Sequence, residues 1–187
     1  MPLAIVVGAF LTMLTINTTI PAEVFLAKET FDAGSAGYGL LVGLWGGGMV
    51  LGSALIAALG DRVNLVPLYF FGIFTSALAL VGTSFSPTFI LALGALIIAG
   101  VANSVDDVAA NTILQKQVPD ALLGRVFAVR FLGFSAGDVL AFLVGGMIVD
   151  AAGPRFTYLF AGASTAAMGL LILLLVITTA PERSEGD

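Results

Sequence analysis

The 187-residue chain has no cysteine and no histidine, and only 10% of its residues are charged. Lack of Cys excludes disulfides, thiol nucleophiles and thiolate metal ligands; lack of His removes the commonest general base and the usual imidazole ligand of zinc and haem. No enzyme activity, metal or other cofactor is therefore expected. Basic residues are fewer than acidic ones, seven against twelve, and the net charge is −5. Nothing forms the basic patch that a nucleic-acid partner requires. The glycine-rich stretches lack the Lys-Ser/Thr pair of a phosphate-binding loop, so ATP is not indicated. Absent too, ahead of the first apolar run, are a basic n-region and a small-residue cleavage site. Met1-Pro2-Leu3 leads straight into that run, and the expectation is a retained spanning helix, not a removed signal peptide.

Apolar length is what the chain has in excess. Hydrophobic residues make up 59% and mean hydropathy is +1.09, against roughly half apolar and a quarter charged in soluble domains. Charge-free runs repeatedly reach the roughly 20 residues that a helix needs to cross a ~30 Å hydrocarbon core. The first expected helix covers 3–27 and ends at a loop holding Lys28, Glu29, Asp32 and Gly34. The second, 37–59, stops at Gly60-Asp61-Arg62. From Val63 to Val105 no residue is charged, and a single helix of that length would be about twice the bilayer core, so the run must fold back. The cluster Thr83-Ser84-Phe85-Ser86-Pro87-Thr88 divides it into helices 65–83 and 87–114. Asp120, after Val118-Pro119, is placed to cap a fifth helix, 120–149, and a sixth, 156–179, precedes Pro181 and a charged tail.

Barrels need short alternating segments, and these runs are continuously apolar. The expected class is an all-α integral membrane protein, a single transmembrane domain of six helices over residues 1–187 with the lipid bilayer as its first partner. With both termini cytoplasmic, the inner segments hold Arg62, Lys116, Arg125, Arg130 and Arg183, and the outer ones only Lys28 and Arg155. That bias predicts a multi-pass protein of the cell membrane in this orientation.

Gly37-Tyr38-Gly39-Leu40-Leu41, the glycine-rich run Gly43 to Gly52 and Gly60-Asp61-Arg62 resemble the seventh-to-ninth helix region of the major facilitator superfamily, with its drug and macrolide efflux branch nearest. Asn103-Ser104-Val105-Asp106-Asp107, Gln115, Val118-Pro119-Asp120 and Gly124-Arg125-Val126 are similar to the same branch. The resemblance implies the C-terminal six-helix half of such a transporter, built as a 3+3 inverted repeat. Ala58-Leu59-Gly60-Asp61-Arg62 after the second helix is echoed by Ala151-Ala152-Gly153-Pro154-Arg155 after the fifth. The family's loop motif is degenerate here: where it has Gly and basic residues the chain reads Ala57, Asn64, Leu65 and Val66, and Asn64 is expected to supply the left-handed turn in place of Gly.

Small residues four apart let membrane helices approach closely. Such pairs gather in the second helix, Gly43/Gly47 and Gly48/Gly52, and the fifth, Gly133/Gly137 and Ala141/Gly145. They serve either packing among the six helices or contact with an opposite half, which the resemblance implies as partner of these two helices.

Ionisable groups inside hydrocarbon are candidates for function. Asp138 lies deep in the fifth helix, where a carboxylate can bind and release a proton as its surroundings wet and dry, or recognise a cationic substrate, or simply bond a neighbouring helix. Asn103, Asp107 and Asn111 align on one face of the fourth helix. Asp106 and Asp107 are expected near the inner interface, as a gate or structural charge pair with Arg125 or Arg130. Asn17 sits near mid-membrane, where Pro21 cannot donate to its carbonyl, so a kink is expected there as a binding or purely structural feature. Glu23, further out, is a vestibule or interfacial carboxylate. Asp61 and Arg62 form a loop anchor or a solvated pair.

The expected function is part of a secondary transporter, ion-gradient-driven and exporting small amphipathic compounds. One half cannot alternate access alone, so the chain is expected to be a fragment, to pair with a separate N-terminal six-helix half, or, less favoured, to form a homodimer. The alternatives are a membrane scaffold without transport and an intramembrane hydrolase; the latter has Ser135 near Asp138 but no His or Cys to activate it.

Overall fold

A backbone amide in hydrocarbon has no water to bond, so a lipid-facing chain must close its hydrogen bonds within helices. In the computed structural model, which describes residues 2–60 and 63–179, the elements are α1 (Pro2–Asn17), α2 (Ile20–Phe25), a π-helical turn (Leu26–Thr30), α3 (Gly34–Leu59), α4 (Leu65–Phe85), α5 (Phe89–Gln117) and α6 (Asp120–Thr179), with no strand among the described residues. Asp61 and Arg62 lie outside the described residues, as do Pro181 and Arg183. Five stretches are long and apolar enough to cross a membrane: Phe10–Thr30, α3, α4, α5 and α6. The last is divided at Gly153, whose φ of 83° and ψ of 169° lie outside the helical region. Its two arms, α6a (120–152) and α6b (154–179), each exceed the length of one crossing.

The first rod is interrupted where Pro21 removes an amide. α1 stops at Asn17, Thr18 and Thr19 form a turn, and α2 follows. Threonine hydroxyls take up nearby carbonyls: Thr15 donates to Thr12 O at 2.8 Å, Thr18 to Thr15 O at 2.6 Å and Thr19 to Ile16 O at 2.9 Å.

Several boundaries differ from the sequence reading. The expected connection at 150–155 contracts to Gly153, because a glycine accepts that backbone and Pro154, already fixed in φ, suits the first position of α6b. Asn64 is not left-handed: at φ −76° and ψ 118° it caps α4, its side chain accepting the Val66 N–H at 3.2 Å, and positive φ falls on Gly60 instead. Asp120 is the first residue of α6 and not its cap; the Leu122 N–H bonds the Pro119 carbonyl at 2.8 Å. α5 starts at Phe89, after Thr88, whose hydroxyl accepts the Leu91 N–H.

α5 is flanked by α3 and α4; α4 also packs on α6, and α6 holds α1 and α2. Small residues set the close approaches. Gly48 and Gly52 of α3 abut Ile97, Val101 and Ser104 of α5, and Gly100 of α5 abuts Trp45. Gly72 brings α4 onto Ala102 and Asp106, Gly162 and Gly169 bring α6b onto α4, and Gly145 brings α6a onto the Thr18 carbonyl. Of the small pairs in the sequence, Gly48/Gly52 and Ala141/Gly145 thus serve this bundle, Gly133 and Gly137 receive the Phe10 ring, and Gly43 and Gly47 face open space. Tyr69, Ile73, Leu80, Leu96, Leu114 and Tyr158 are buried between helices, while Leu78, Ile90, Phe131 and Met147 are more than two-thirds exposed. Water would disfavour so apolar an exterior; a bilayer matches it.

Candidate functional site

The break at Thr18–Thr19 leaves Asn17 at the end of α1, opposite the middle of α6a. There its Nδ2 donates to Asp138 Oδ1 at 2.6 Å, across 121 positions of sequence. Ser135 takes no part in this bond; its hydroxyl returns to the Phe131 carbonyl at 3.0 Å.

Helical spacing puts Asn103, Asp107 and Asn111 on one face of α5. Asp107, half exposed, accepts from Arg130 Nη2 at 2.7 Å through Oδ1 and from Asn111 Nδ2 at 3.1 Å through Oδ2. Arg130 of α6a is itself buried, and its guanidinium lies 4.7 Å from the centroid of the Phe134 ring, which stacks in turn with Phe10. Stacking of this kind suits the planar guanidinium and fixes its fork toward the carboxylate. Arg125, one of the two basic residues considered as partner for this carboxylate, is exposed near the start of α6.

Asp106, next in sequence, is turned the other way. It is 5% exposed and its Oδ1 has no hydrogen-bond partner. Tyr69 of α4 is 1% exposed with its hydroxyl likewise unpartnered, and it is near enough to feel the charges of Asp106 and Arg130. Between these groups is a cavity of about 210 Å³, lined from α1 by Thr12 and Asn17, from α3 by Met49, from α4 by Tyr69 and from α5 by Asn103 and Asp106. Asp107 and Phe134 also line this cavity, so the two adjacent acids share it while differing in burial.

Glu23 is half-buried in α2, within electrostatic reach of the fully buried Tyr158 of α6b. Near this end of the bundle Arg155 donates to the Ser84 carbonyl at 2.7 Å, with its guanidinium 5.3 Å from the Phe31 centroid. A cation on the last carbonyls of α4 matches that helix's negative end.

Tyr69, Phe134 and Arg155 were not anticipated as members of these clusters. Tyr69 reads as one more aromatic in Tyr69-Phe70-Phe71, and nothing local marks it; the lone Arg155 after Gly153-Pro154 did carry a signal, since an arginine between two apolar spans needs an acceptor.

The family model of the Major Facilitator Superfamily matches residues 5–187. No curated protein matches the chain.

Proposed function

The chain belongs to the major facilitator superfamily, and from that membership we propose that it forms part of a secondary active transporter exporting small amphipathic cations, driven by an ion gradient. Membrane transport comes with the family. The finer reading rests on the largely apolar cavity among α1, α3, α4, α5 and α6a, into whose wall Asn17, Asn103 and Asp106 are set, with Asn17 also holding Asp138. An acid whose partner is a neutral amide leaves a carboxyl group that a cationic substrate can meet, whereas an arginine partner would already occupy it. The resemblance to efflux transporters in Gly37-Tyr38-Gly39-Leu40-Leu41 and Asn103-Ser104-Val105-Asp106-Asp107 supports the direction.

At about 210 Å³ the cavity is smaller than the roughly 300–1,000 Å³ of drug-sized sites. A second six-helix bundle, set against α3 and α6a, would enlarge and close it, and the unfilled space at Gly43 and Gly47 suits such an approach. Both termini are taken as cytoplasmic and the membrane as the cell membrane. No chemical transformation is assigned to the protein.

The test is flux in proteoliposomes, with ethidium as the fluorescent amphipathic cation and an imposed pH gradient. Asp138→Asn keeps the shape and removes the charge, and should cut ethidium flux about tenfold or more, the equivalent of one charge-assisted contact. Undiminished flux in that variant removes Asp138 from the pathway. Wild-type flux no greater than that of empty vesicles points instead to a scaffold.

A further inference from the structure

A groove of about 480 Å³ opens on the exposed surface of α4 and α5, beside the turn that joins them. Gly82 and Gly94 hollow it out, each with open space where a side chain would stand. Phe85, Ile90, Leu91 and Ile98 make its walls, and all four are more than half exposed. The one hydroxyl in the lining belongs to Ser86 and is already spent, donating to the Gly82 carbonyl at 2.8 Å. No charged side chain lines the groove.

From the turn to Ile98, α5 rises about 14 Å at 1.5 Å per residue, close to half of a ~30 Å hydrocarbon core. Further along, the two helices close on each other where Gly72 abuts Ala102 and Asp106. The groove therefore has the depth of one leaflet. A partner helix crossing the membrane would need about twice that length, and a polar ligand would find no side chain to bond. A hydrocarbon tail needs only the dispersion contacts that such walls supply.

The mouth of the groove has the opposite character. There α5, a helix of 29 residues, begins, and the first amides of a helix have no partners within it. The Leu91 N–H is taken by the Thr88 hydroxyl, which leaves those of Phe89 and Ile90 at the positive end of the helix. The Arg155 guanidinium lies close by, donating at 2.7 Å to the carbonyl of Ser84, two residues before Ser86. A positive helix end and a cation stand at the head of an apolar channel, which is the charge pattern of a phosphate diester carrying a hydrocarbon tail.

We propose that this groove is a phospholipid site, with one acyl tail lying along Gly82 and Gly94 and the phosphate at the start of α5 on the side of Arg155. The lipid would fill the seam between α4 and α5 at the end where Gly72 does not close it. The site is distinct from the cavity lined by Asn17 and Asp106, and the inference does not rest on the transport reading.

Native mass spectrometry of the full chain in detergent gives the test, with palmitoyl-oleoyl-phosphatidylglycerol titrated beside palmitoyl-oleoyl-glycerol, which has the same tails and no phosphate. The wild type should hold one phosphatidylglycerol about tenfold more tightly than the diacylglycerol, as one charge-assisted contact would provide. Gly82→Leu and Gly94→Leu fill the groove from opposite helices, and leucine is the better helix former. Each should weaken phosphatidylglycerol binding about tenfold or more, the same measure, while melting in lipid-free detergent stays at the wild-type value. Should one variant fail to fold, the other still decides. A wild type that holds no lipid, equal affinity for the two lipids, or undiminished binding in a folded variant overturns the proposal. A lipid-free wild-type dimer that Gly94→Leu turns into a monomer gives the groove to a second copy of the chain and overturns it as well.

Discussion

Asn17 and Asp138 illustrate how much one amide does inside a membrane. Without Asn17 the carboxylate would lose its 2.6 Å donor in a setting where water is scarce, yet interhelical hydrogen bonds in membranes are individually modest. Asn17→Ala is expected to lower stability by about 0.6–1.7 kcal/mol, measured by reversible unfolding in mixed micelles. No measurable change would mean that the carboxylate is already hydrated. At this scale the sequence was informative about which residues matter and silent about which of them meet. Asn17, Asp107, Arg130 and Asp138 stand out as polar groups within apolar runs, but periodicity assigns a side chain to a face of its own helix and not to a neighbour 121 positions away. The difference in burial between Asp106 and Asp107 was hidden for a related reason. Adjacent positions on a helix point about 100° apart, so one acid can reach the rim while the next enters the interior.

Among the elements, glycine positions that look alike in sequence differ in what surrounds them. A Cβ on Gly48 would stand 2.5 Å from the Ile97 carbonyl oxygen and 3.1 Å from the Val101 amide, both backbone atoms that cannot swing aside, whereas one on Gly47 would meet nothing. Gly48→Ala is therefore expected to destabilise the bundle by about 1–3 kcal/mol, and Gly47→Ala to leave it unchanged or slightly firmer. Thermal unfolding of the two variants side by side is the check, and equal melting would disprove the assigned contact. Gly153 has a conformation that only glycine adopts readily, at φ 83° and ψ 169°; Gly153→Ala should cost about 1–3 kcal/mol by the same assay. Helix type and order were legible because long apolar runs admit little else. The ends were less so, since a turn of one residue leaves almost no polar signature, and Asn64 is as good a cap as it is a turn residue.

For the molecule as a whole, the exterior of α3 and α6a is apolar and open, with Val50, Leu51, Leu132 and Met147 among its exposed side chains. Lipid alone would satisfy such a surface; a second bundle would satisfy it and also complete the cavity. Gly43→Leu separates these cases. It fills open space and so should leave unfolding in detergent unaltered, yet it should abolish ethidium flux if another bundle must approach that face. Flux at the wild-type level would show the face to be lipid-bound. No property of the sequence decides between them, since lipid and helix surfaces ask for the same residues.

Arg155 follows closely on Gly153, and its guanidinium binds the end of α4 while lying over Phe31. α4, α6b and the connection before α3 are thus tied together at one end of the bundle. α6a leaves that knot and runs about 35 Å, at 1.5 Å per residue, before it reaches Arg130. A swing of about 5° about the knot would carry Arg130 some 3 Å sideways, roughly the span of one hydrogen bond. Small rotations at that joint are thus magnified at the far tip of α6a, where Arg130 grips Asp107.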